Sequence, residues 1–299
     1  MESTGRRDGM ESLGVSAPRP AGFAQFWSGR CRQAKAFGDL RSTPAEVTNP
    51  RGRYQELTFT AVDGARLTAR YLCPAAGGRV PTVLAFHDFD RPVRGWHHLT
   101  RFLALGYAVL ALQNRTAFPD VSRGWRGAPE ALELTALFSD ALTAAHVALS
   151  LPQTDPSRLA VWGDGLGGGL ALAVAAMFQE NVAKCAVLNP LPADFRLAAE
   201  SGSVLYAGIR TRFRFEDAQR NDEDAFFEAL DDVDCVRFAP MLACGLLMGT
   251  ALMDPVSPPA AQQAVYEGAS CKKRLLVYPK HAHERVNAFE DELLAFLHP

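Results

Sequence analysis

A glycine-rich turn in the middle of the chain is the first candidate for chemistry. Residues 161–169 read Val-Trp-Gly-Asp-Gly-Leu-Gly-Gly-Gly, an apolar strand end followed by the start of a small-residue helix. This is the form of a nucleophile elbow, in which small residues two places before and after the nucleophile permit a sharp turn that lifts its side chain above the sheet. Gly163 and Gly167 fit those places, so the nucleophile position falls on Gly165. The sequence therefore predicts an elbow without a nucleophilic side chain.

Two later residues could form a catalytic triad with that position. Asp254 follows one predicted strand and His283 follows the next, and the order nucleophile, acid, histidine is that of the α/β-hydrolases. In such a triad the carboxylate orients the imidazole, which takes the proton of the attacking group. Taken singly, Asp254 could instead cap the turn before Pro255, and His283 or His281 could be a surface residue. Three strand ends in the right order favour the triad.

The same glycines permit two other interpretations. Asp164 could be the nucleophile, but that frame places bulky residues at both flanks, where small ones are required. Gly163, Gly165 and Gly168 also have the G-x-G-x-x-G spacing of a dinucleotide site. Such a site needs an acidic residue at the end of the next strand, where this chain has Asn189. We therefore expect no cofactor and, because no ligand cluster accompanies the histidines, no metal.

Strands and helices alternate around these residues. A helix is predicted within residues 21–37, and a hairpin turn at Asp63 and Gly64 joins two alternating strands. Apolar strands separated by helix-length segments follow, which predicts a mostly parallel α/β sheet with an antiparallel start and helices on both faces. Together with the order of the three strand-end residues, this predicts an α/β-hydrolase fold. The predicted buried strands are 83–86, 107–112, 159–162, 185–188, 246–248 and 274–277, and the predicted helices between and after them are 129–149, 169–177, 259–266 and 288–297.

One domain is predicted to contain nearly the whole chain. Residues 1–19 are rich in Gly, Ser, Pro and Arg, so we predict a disordered extension there. Residues 20–299 then form a single α/β-hydrolase domain. Within it, the segment at about 190–234 mixes polar and aromatic residues, which favours a small helical cap inserted after a strand.

The composition excludes several classes of protein. With 299 residues, 48% of them hydrophobic, the chain can bury a large core, so intrinsic disorder is excluded. A net charge of -2 offers no basic surface to nucleic acid or anionic lipid, and no apolar stretch is long enough to cross a bilayer. The six cysteines are dispersed, unlike zinc or dithiol sites. We therefore expect reduced thiols, a cytoplasmic protein, and neither nucleic acid nor a membrane as a partner.

A series of short motifs extends over the chain from about Pro18. They are Pro20-Ala-Gly-Phe-Ala-Gln-Phe-Trp27, Thr58-Phe-Thr60, Phe86-His87, Arg123-Gly124, Phe138-Ser-Asp-Ala141, Gly167-Gly-Gly-Leu-Ala-Leu-Ala173, Leu252-Met-Asp254, Ser257-Pro-Pro259 and Tyr278-Pro279. Together they resemble the acetyl xylan esterases and cephalosporin-C deacetylases, a family of α/β-hydrolases. The resemblance implies removal of O-acetyl groups from sugars and small esters, and a ring-like homo-oligomer.

The oxyanion loop departs from this family. The family's His-Gly-Tyr-Gly-Gly reads His-Asp-Phe-Asp-Arg at residues 87–91. The backbone amides of Phe89 and Leu166 can still point at an oxyanion. The carboxylates of Asp88 and Asp90 oppose the negative charge that would develop there.

The nucleophile position also differs from the family's motif. The family's Gly-Gly-Ser-Gln-Gly-Gly-Gly is replaced by residues 163–169, so the serine of the acyl-enzyme aligns with Gly165. We therefore expect an acetyl xylan esterase-like protein that is catalytically impaired. Two alternatives stay open: a non-catalytic subunit for binding a carbohydrate or acyl ligand or for assembly, and a hydrolase in which His283 and Asp254 activate a water in the space left at Gly165. The expected partner is a small acetylated carbohydrate or ester, and Gly165→Ser is expected to create some hydrolysis of acetyl esters.

Overall fold

A single sheet forms the centre of the molecule in the computed structural model, which describes residues 20–117 and 119–298. The strands are β1 (Gly38–Pro44), β2 (Gly52–Thr60), β3 (Arg66–Pro74), β4 (Val80–Phe86), β5 (Ala108–Gln113), β6 (Thr154–Asp164), β7 (Val182–Leu188), β8 (Gly245–Ala251) and β9 (Lys273–Tyr278). The α-helices are α1 (Phe23–Ala34), α2 (Trp96–Thr100), α3 (Glu133–Ser150), α4 (Leu166–Met177), α5 (Phe195–Glu200), α6 (Ala207–Phe215), α7 (Glu223–Leu230), α8 (Cys235–Phe238), α9 (Pro259–Gly268) and α10 (Asn287–Leu297). The extension predicted at residues 1–19 lies outside the described residues.

The sheet begins antiparallel and becomes parallel. Its strand order is β1-β2-β3-β5-β4-β6-β7-β8-β9. Neighbours from β1 to β5 pair antiparallel, and neighbours from β5 to β9 in this order pair parallel. The carboxyl ends of the parallel strands therefore meet at one edge, which is where α/β sheets bind ligands. The predicted α/β fold is confirmed.

Helices cover both faces because the central strands are apolar on both. In β4, Val83 and Ala85 belong to one cluster of buried side chains, whereas Leu84 and Phe86 belong to the other. Helices α1, α3, α4, α8 and α9 contribute to the larger cluster, and α2 and α10 contribute to the smaller one. Nearly continuous burial of this kind is typical of parallel strands.

The segment at 190–234, where the sequence predicts a helical cap, contains α5, α6 and α7. Asp234 anchors it. Its carboxylate accepts hydrogen bonds from the backbone amides of Asp194 and Phe195, at 3.0 and 2.9 Å, and of Val236, at 2.9 Å. Burial and the charge of Asp194 raise the pKa of Asp234 to about 7. The start of the segment is thereby tied to the start of α8.

The two edge strands differ from the predictions. The sequence does not predict β1, because all seven of its residues are exposed and no alternation of apolar residues marks it. The sequence predicts residues 274–277 as buried on both faces, and this is wrong. The side chains of β9 are half-buried or exposed, because β9 is the last strand of the sheet and has a neighbour on one side.

Candidate active site

The elbow lies where β6 ends and α4 begins. Gly165 adopts φ 54° and ψ -124°, a region that glycine tolerates and residues with side chains rarely adopt. A Cβ at Gly163 would lie 2.0 Å from the carbonyl oxygen of Gly167. A Cβ at Gly167 would lie 2.4 Å from the carbonyl oxygen of Phe86, the last residue of β4. Glycine is therefore required at the flanks because β6, α4 and β4 approach one another closely.

Asp254 and His283 meet in the loops that follow β8 and β9. Nδ1 of His283 lies 2.7 Å from Oδ2 of Asp254. The buried Asp254 carboxylate also accepts hydrogen bonds from the backbone amides of Val256 and Ser257, at 2.8 and 2.9 Å. The two interpretations of Asp254, turn cap and histidine partner, thus describe one geometry. The turn holds the carboxylate, and the carboxylate orients the imidazole ring.

The side chain of Asp88 fills the space beside Gly165. Its Oδ1 accepts hydrogen bonds from the backbone amides of Leu166, at 2.8 Å, and of Phe89, at 2.9 Å. Its Oδ2 lies 2.8 Å from Nε2 of His283. A Cβ at Gly165 would lie 2.0 Å from Oδ1 and 2.2 Å from Cγ of Asp88. The carboxylate therefore stands where the side chain of residue 165 would be, and it binds the two amides that the sequence assigns to an oxyanion.

This position of Asp88 corrects two expectations. The sequence suggests room for a water at Gly165, but the carboxylate fills that space. Gly165→Ser alone is no longer expected to create hydrolysis, because the new Cβ would collide with Asp88. Asp90, the other acidic residue of the loop, lies outside the site, with 47% of its side chain exposed and Arg91 next to it.

The two carboxylates around His283 decide its charge. Burial alone would lower the pKa of His283, but the hydrogen bonds and charges of Asp254 and Asp88 raise the pKa to about 9. At neutral pH the ring therefore carries protons on both nitrogens and donates to both carboxylates. Phe89 stacks on the ring, with centroids 6.0 Å apart. In this state His283 can give a proton to a substrate but cannot take one.

Two further residues hold the loops of the site. Nε2 of His87 accepts a backbone hydrogen bond at 3.0 Å, so Nδ1 carries the proton and donates to the carbonyl oxygen of Asp88 at 2.7 Å. Burial lowers the pKa of His87, which favours this neutral ring. Asn189, after β7, accepts from the amide of Ala251 at 2.9 Å and donates to the carbonyl of Ala282 at 3.3 Å. Only their positions at strand ends could have indicated these roles in the sequence.

Two cavities of different character adjoin the site. An apolar one of about 90 Å³ is lined by Phe89, Pro119, Val121, Leu134, Leu166, Leu191, Pro192 and Leu205. Because a cavity of about 150 Å³ holds benzene, this one holds a smaller apolar group. A polar cleft of about 10 Å³ opens on Asp88, Gly165 and His283, with room for about one water.

The described residues contain neither a metal-binding cluster nor a membrane-spanning helix. Across 20–117 and 119–298, no group of three or more His, Cys, Asp or Glu side chains is placed to hold a metal ion. No helix in those ranges is both long and apolar enough to cross a membrane. A dinucleotide site would use the backbone amides at the start of α4 for a phosphate. The amide of Leu166, within the G-x-G-x-x-G spacing, donates to Asp88 instead. The six cysteines are free thiols, four of them buried.

Known proteins resemble this chain over nearly its whole length. Acetyl xylan esterase 1 from Thermoanaerobacterium sp. JW/SL YS485 superposes with a TM-score of 0.87 at 26% sequence identity, with 95% of each chain covered. Acetyl xylan esterase from Paenibacillus sp. R4 has a TM-score of 0.85 at 20% identity, with 95% of this chain and 96% of that chain covered. A cold-adapted esterase from an Arctic intertidal metagenomic library shares the fold, with a TM-score of 0.60 at 16% identity over 85% of this chain and 97% of that chain. The family model of acetyl xylan esterase matches residues 10–299. The chain therefore belongs to the acetyl xylan esterase family.

Proposed function

We propose that this chain is an acetyl xylan esterase-like protein that no longer hydrolyses esters through a serine acyl-enzyme. The position of the Asp88 carboxylate carries the proposal. Deacetylation by that route needs a hydroxyl at position 165 and two free amides for the oxyanion. Gly165 has no hydroxyl, and Asp88 accepts hydrogen bonds from both amides. The residual catalysis of about 10³–10⁴-fold that triads keep without their nucleophile depends on the oxyanion site, and here that site is occupied.

The same contacts disfavour a water activated by His283 and Asp254. A general base must be unprotonated, and the pKa of His283 is raised to about 9. An oxyanion would also lie close to the Asp88 charge. Two like charges about 4 Å apart repel by about 4 kcal/mol at an effective dielectric constant of about 20. Asp88 therefore opposes this route both as a partner of the imidazole and as a charge.

The ligand we propose is a small acetylated carbohydrate or ester, bound without turnover. Family membership and the apolar cavity of about 90 Å³ beside Phe89 and Leu166 support a small acyl group as the part that is recognised. Titration calorimetry with an acetylated xylo-oligosaccharide and its deacetylated form tests this. Equal affinity for the two forms would contradict recognition of the acetyl group.

We also propose a cytoplasmic homo-oligomer that makes no specific contact with nucleic acid or membranes. Six free thiols fit a reducing compartment, and the net charge of -2 gives no basic patch. The oligomer rests on family resemblance. Native mass spectrometry counts the subunits, and a monomer at micromolar concentration would contradict it.

Kinetics with nitrophenyl acetate and acetylated xylo-oligosaccharides test the loss of deacetylation. The wild type and Gly165→Ser should hydrolyse neither ester faster than the same proteins carrying His283→Ala. Asp88→Gly with Gly165→Ser should be faster than its own His283→Ala control, because the amides become free and the hydroxyl has room. Thermal melts come first, since serine at the strained position 165 costs on the order of 1 kcal/mol or more. Turnover by the wild type above its control would overturn the proposal.

A further inference from the structure

The carboxylate of Asp88 has the surroundings of a covalent nucleophile. Two amides hold Oδ1, and Oδ2 faces Nε2 of His283 at 2.8 Å. The Asp88 side chain is only 3% exposed, and glycine at position 165 leaves room for it, because a Cβ there would lie 2.5 Å from Oδ2. Asp254 orients the imidazole from the other side at 2.7 Å. His283 is therefore within hydrogen-bond reach of both carboxylates, and the two amides are within reach of the nucleophile, which is what covalent catalysis requires.

We propose that Asp88 is the nucleophile of a second activity, the hydrolysis of small epoxides through an ester on its carboxylate. The activity is independent of the lost serine chemistry. Attack by a carboxylate on an acetyl ester would give a reactive anhydride, whereas attack on a saturated epoxide carbon gives an ordinary ester. An epoxide also needs a proton on its ring oxygen as the ring opens, and the His283 ring has a donor at Nε2 beside the nucleophile.

The first step opens the ring. Oδ2 of Asp88 forms a bond to a ring carbon, and the bond from that carbon to the ring oxygen breaks, leaving its electron pair on oxygen. The oxygen takes the proton of Nε2 of His283. Asp88 is then an uncharged ester and His283 a neutral imidazole. Because one of the two carboxylates that raise the pKa of His283 has lost its charge, the ring is now able to act as a base.

The second step releases the diol. His283 takes a proton from a water, whose oxygen bonds to Cγ of Asp88. The negative charge that forms lies on Oδ1, where the amides of Leu166 and Phe89 already donate. Collapse expels the diol with Oδ2, and its alkoxide takes the proton of the new carboxylic acid. The Asp88 carboxylate and the His283 imidazolium are restored, and the net reaction is epoxide plus water to diol.

The cleft beside Asp88 has room for about one water, so the substrate must be among the smallest epoxides and needs space that the surrounding side chains now take. Its volume is about 10 Å³ where it opens on Asp88 and His283. Arg91 and Glu284 line it from the surface side, with 41% of the Arg91 side chain exposed and Glu284 also exposed. These surface side chains must move aside for the substrate to reach Oδ2. Propylene oxide is therefore a suitable probe.

Isotope transfer tests the mechanism on the wild-type protein. The protein is incubated with propylene oxide in water enriched in heavy oxygen, and the peptide containing Asp88 and the diol are measured by mass spectrometry. In the first turnover, heavy oxygen should enter the Asp88 carboxylate and the diol should carry ordinary oxygen. Heavy oxygen in the diol with none in Asp88, or no diol above buffer, would overturn the proposal.

Two variants provide the matched comparison. Asp88→Asn keeps the size of the side chain but removes the nucleophile, so diol formation should fall to the rate in buffer. Asp90→Asn makes the same change at the exposed carboxylate two residues away and should keep the wild-type rate. Equal rates in the wild type and Asp88→Asn, or adducts confined to cysteines, would contradict the role of Asp88. Neither outcome bears on acetyl-ester hydrolysis, which tests the proposed function separately.

Discussion

Gly165 and Asp88 form one steric arrangement, so substitutions at the two positions should be strongly non-additive. Gly165→Ala adds a Cβ that would lie 2.0 Å from Oδ1 of Asp88. The carboxylate must then leave two amides and the imidazole, at about 1.5–3 kcal/mol for each charged hydrogen bond, less what water restores. We expect Gly165→Ala to lower the free energy of unfolding by about 4 kcal/mol and Asp88→Ala to lower it by about 3 kcal/mol.

The double variant should lose less free energy of unfolding than the two single variants lose together. When the carboxylate is absent, alanine at position 165 meets no steric clash with it, and its remaining cost is the strain of the backbone, about 1 kcal/mol. The double variant is then about 4 kcal/mol less stable than the wild type, against about 7 kcal/mol for additive effects, which is an interaction of about 3 kcal/mol.

Unfolding in guanidinium chloride, followed by tryptophan fluorescence, measures all four proteins of this cycle. Gly202→Ala is the matched control, because Gly202 also has a positive φ, 79°, but nothing lies within 4 Å of an added Cβ. Its effect should add to that of Asp88→Ala. An interaction between positions 165 and 88 below about 0.5 kcal/mol would refute the placement of the carboxylate.

Three further predictions concern the charges and the absence of a hydroxyl at position 165. His283 has a pKa of about 9 in the folded protein against 6.5 as its ordinary value, so its stabilising effect is complete below pH 6.5 and is lost as the pH rises through 9. The free energy of unfolding should fall by about 3 kcal/mol over that window, and an equal fall in His283→Gln would contradict this. A fluorophosphonate probe should label no serine, since position 165 lacks a hydroxyl and Ser257 donates to a backbone carbonyl in a buried turn; stoichiometric labelling detected by mass spectrometry would argue for a relocated nucleophile. Arg115→Met should lower the free energy of unfolding by about 3–5 kcal/mol, because it leaves the buried carboxylate of Asp140 without the cation of Arg115. Denaturant unfolding measures this, and the loss should be smaller when Asp140→Asn is added.

The parallel part of the fold was predictable from periodicity, and the edges were not. Continuous apolar runs such as that of β4 fit burial on two faces, and the structure places alternate residues of β4 in two different cores. β1 is paired by backbone hydrogen bonds while its side chains remain in solvent, so no pattern of side chains marks it. The apolar residues of β9 predicted too much burial for that strand, because burial depends on a neighbour on each side and not on the strand's own residues.

The sequence by itself determined the family, the sheet, and the places along the chain where Gly165, Asp254 and His283 follow strands. These properties depend on short-range patterns: apolar periodicity, small residues at a turn, and motifs of a few residues. Only the tertiary structure decided what the vacant position contains. Asp88 lies 78 residues from Leu166 and 195 from His283. Its carboxylate reaches Leu166 because β4 and β6 are neighbours in the sheet, and the loop after β9 brings His283 to the same carboxylate. A hydrogen bond between such distant residues depends on strand order and on a missing Cβ, and neither is encoded in the local sequence around Asp88.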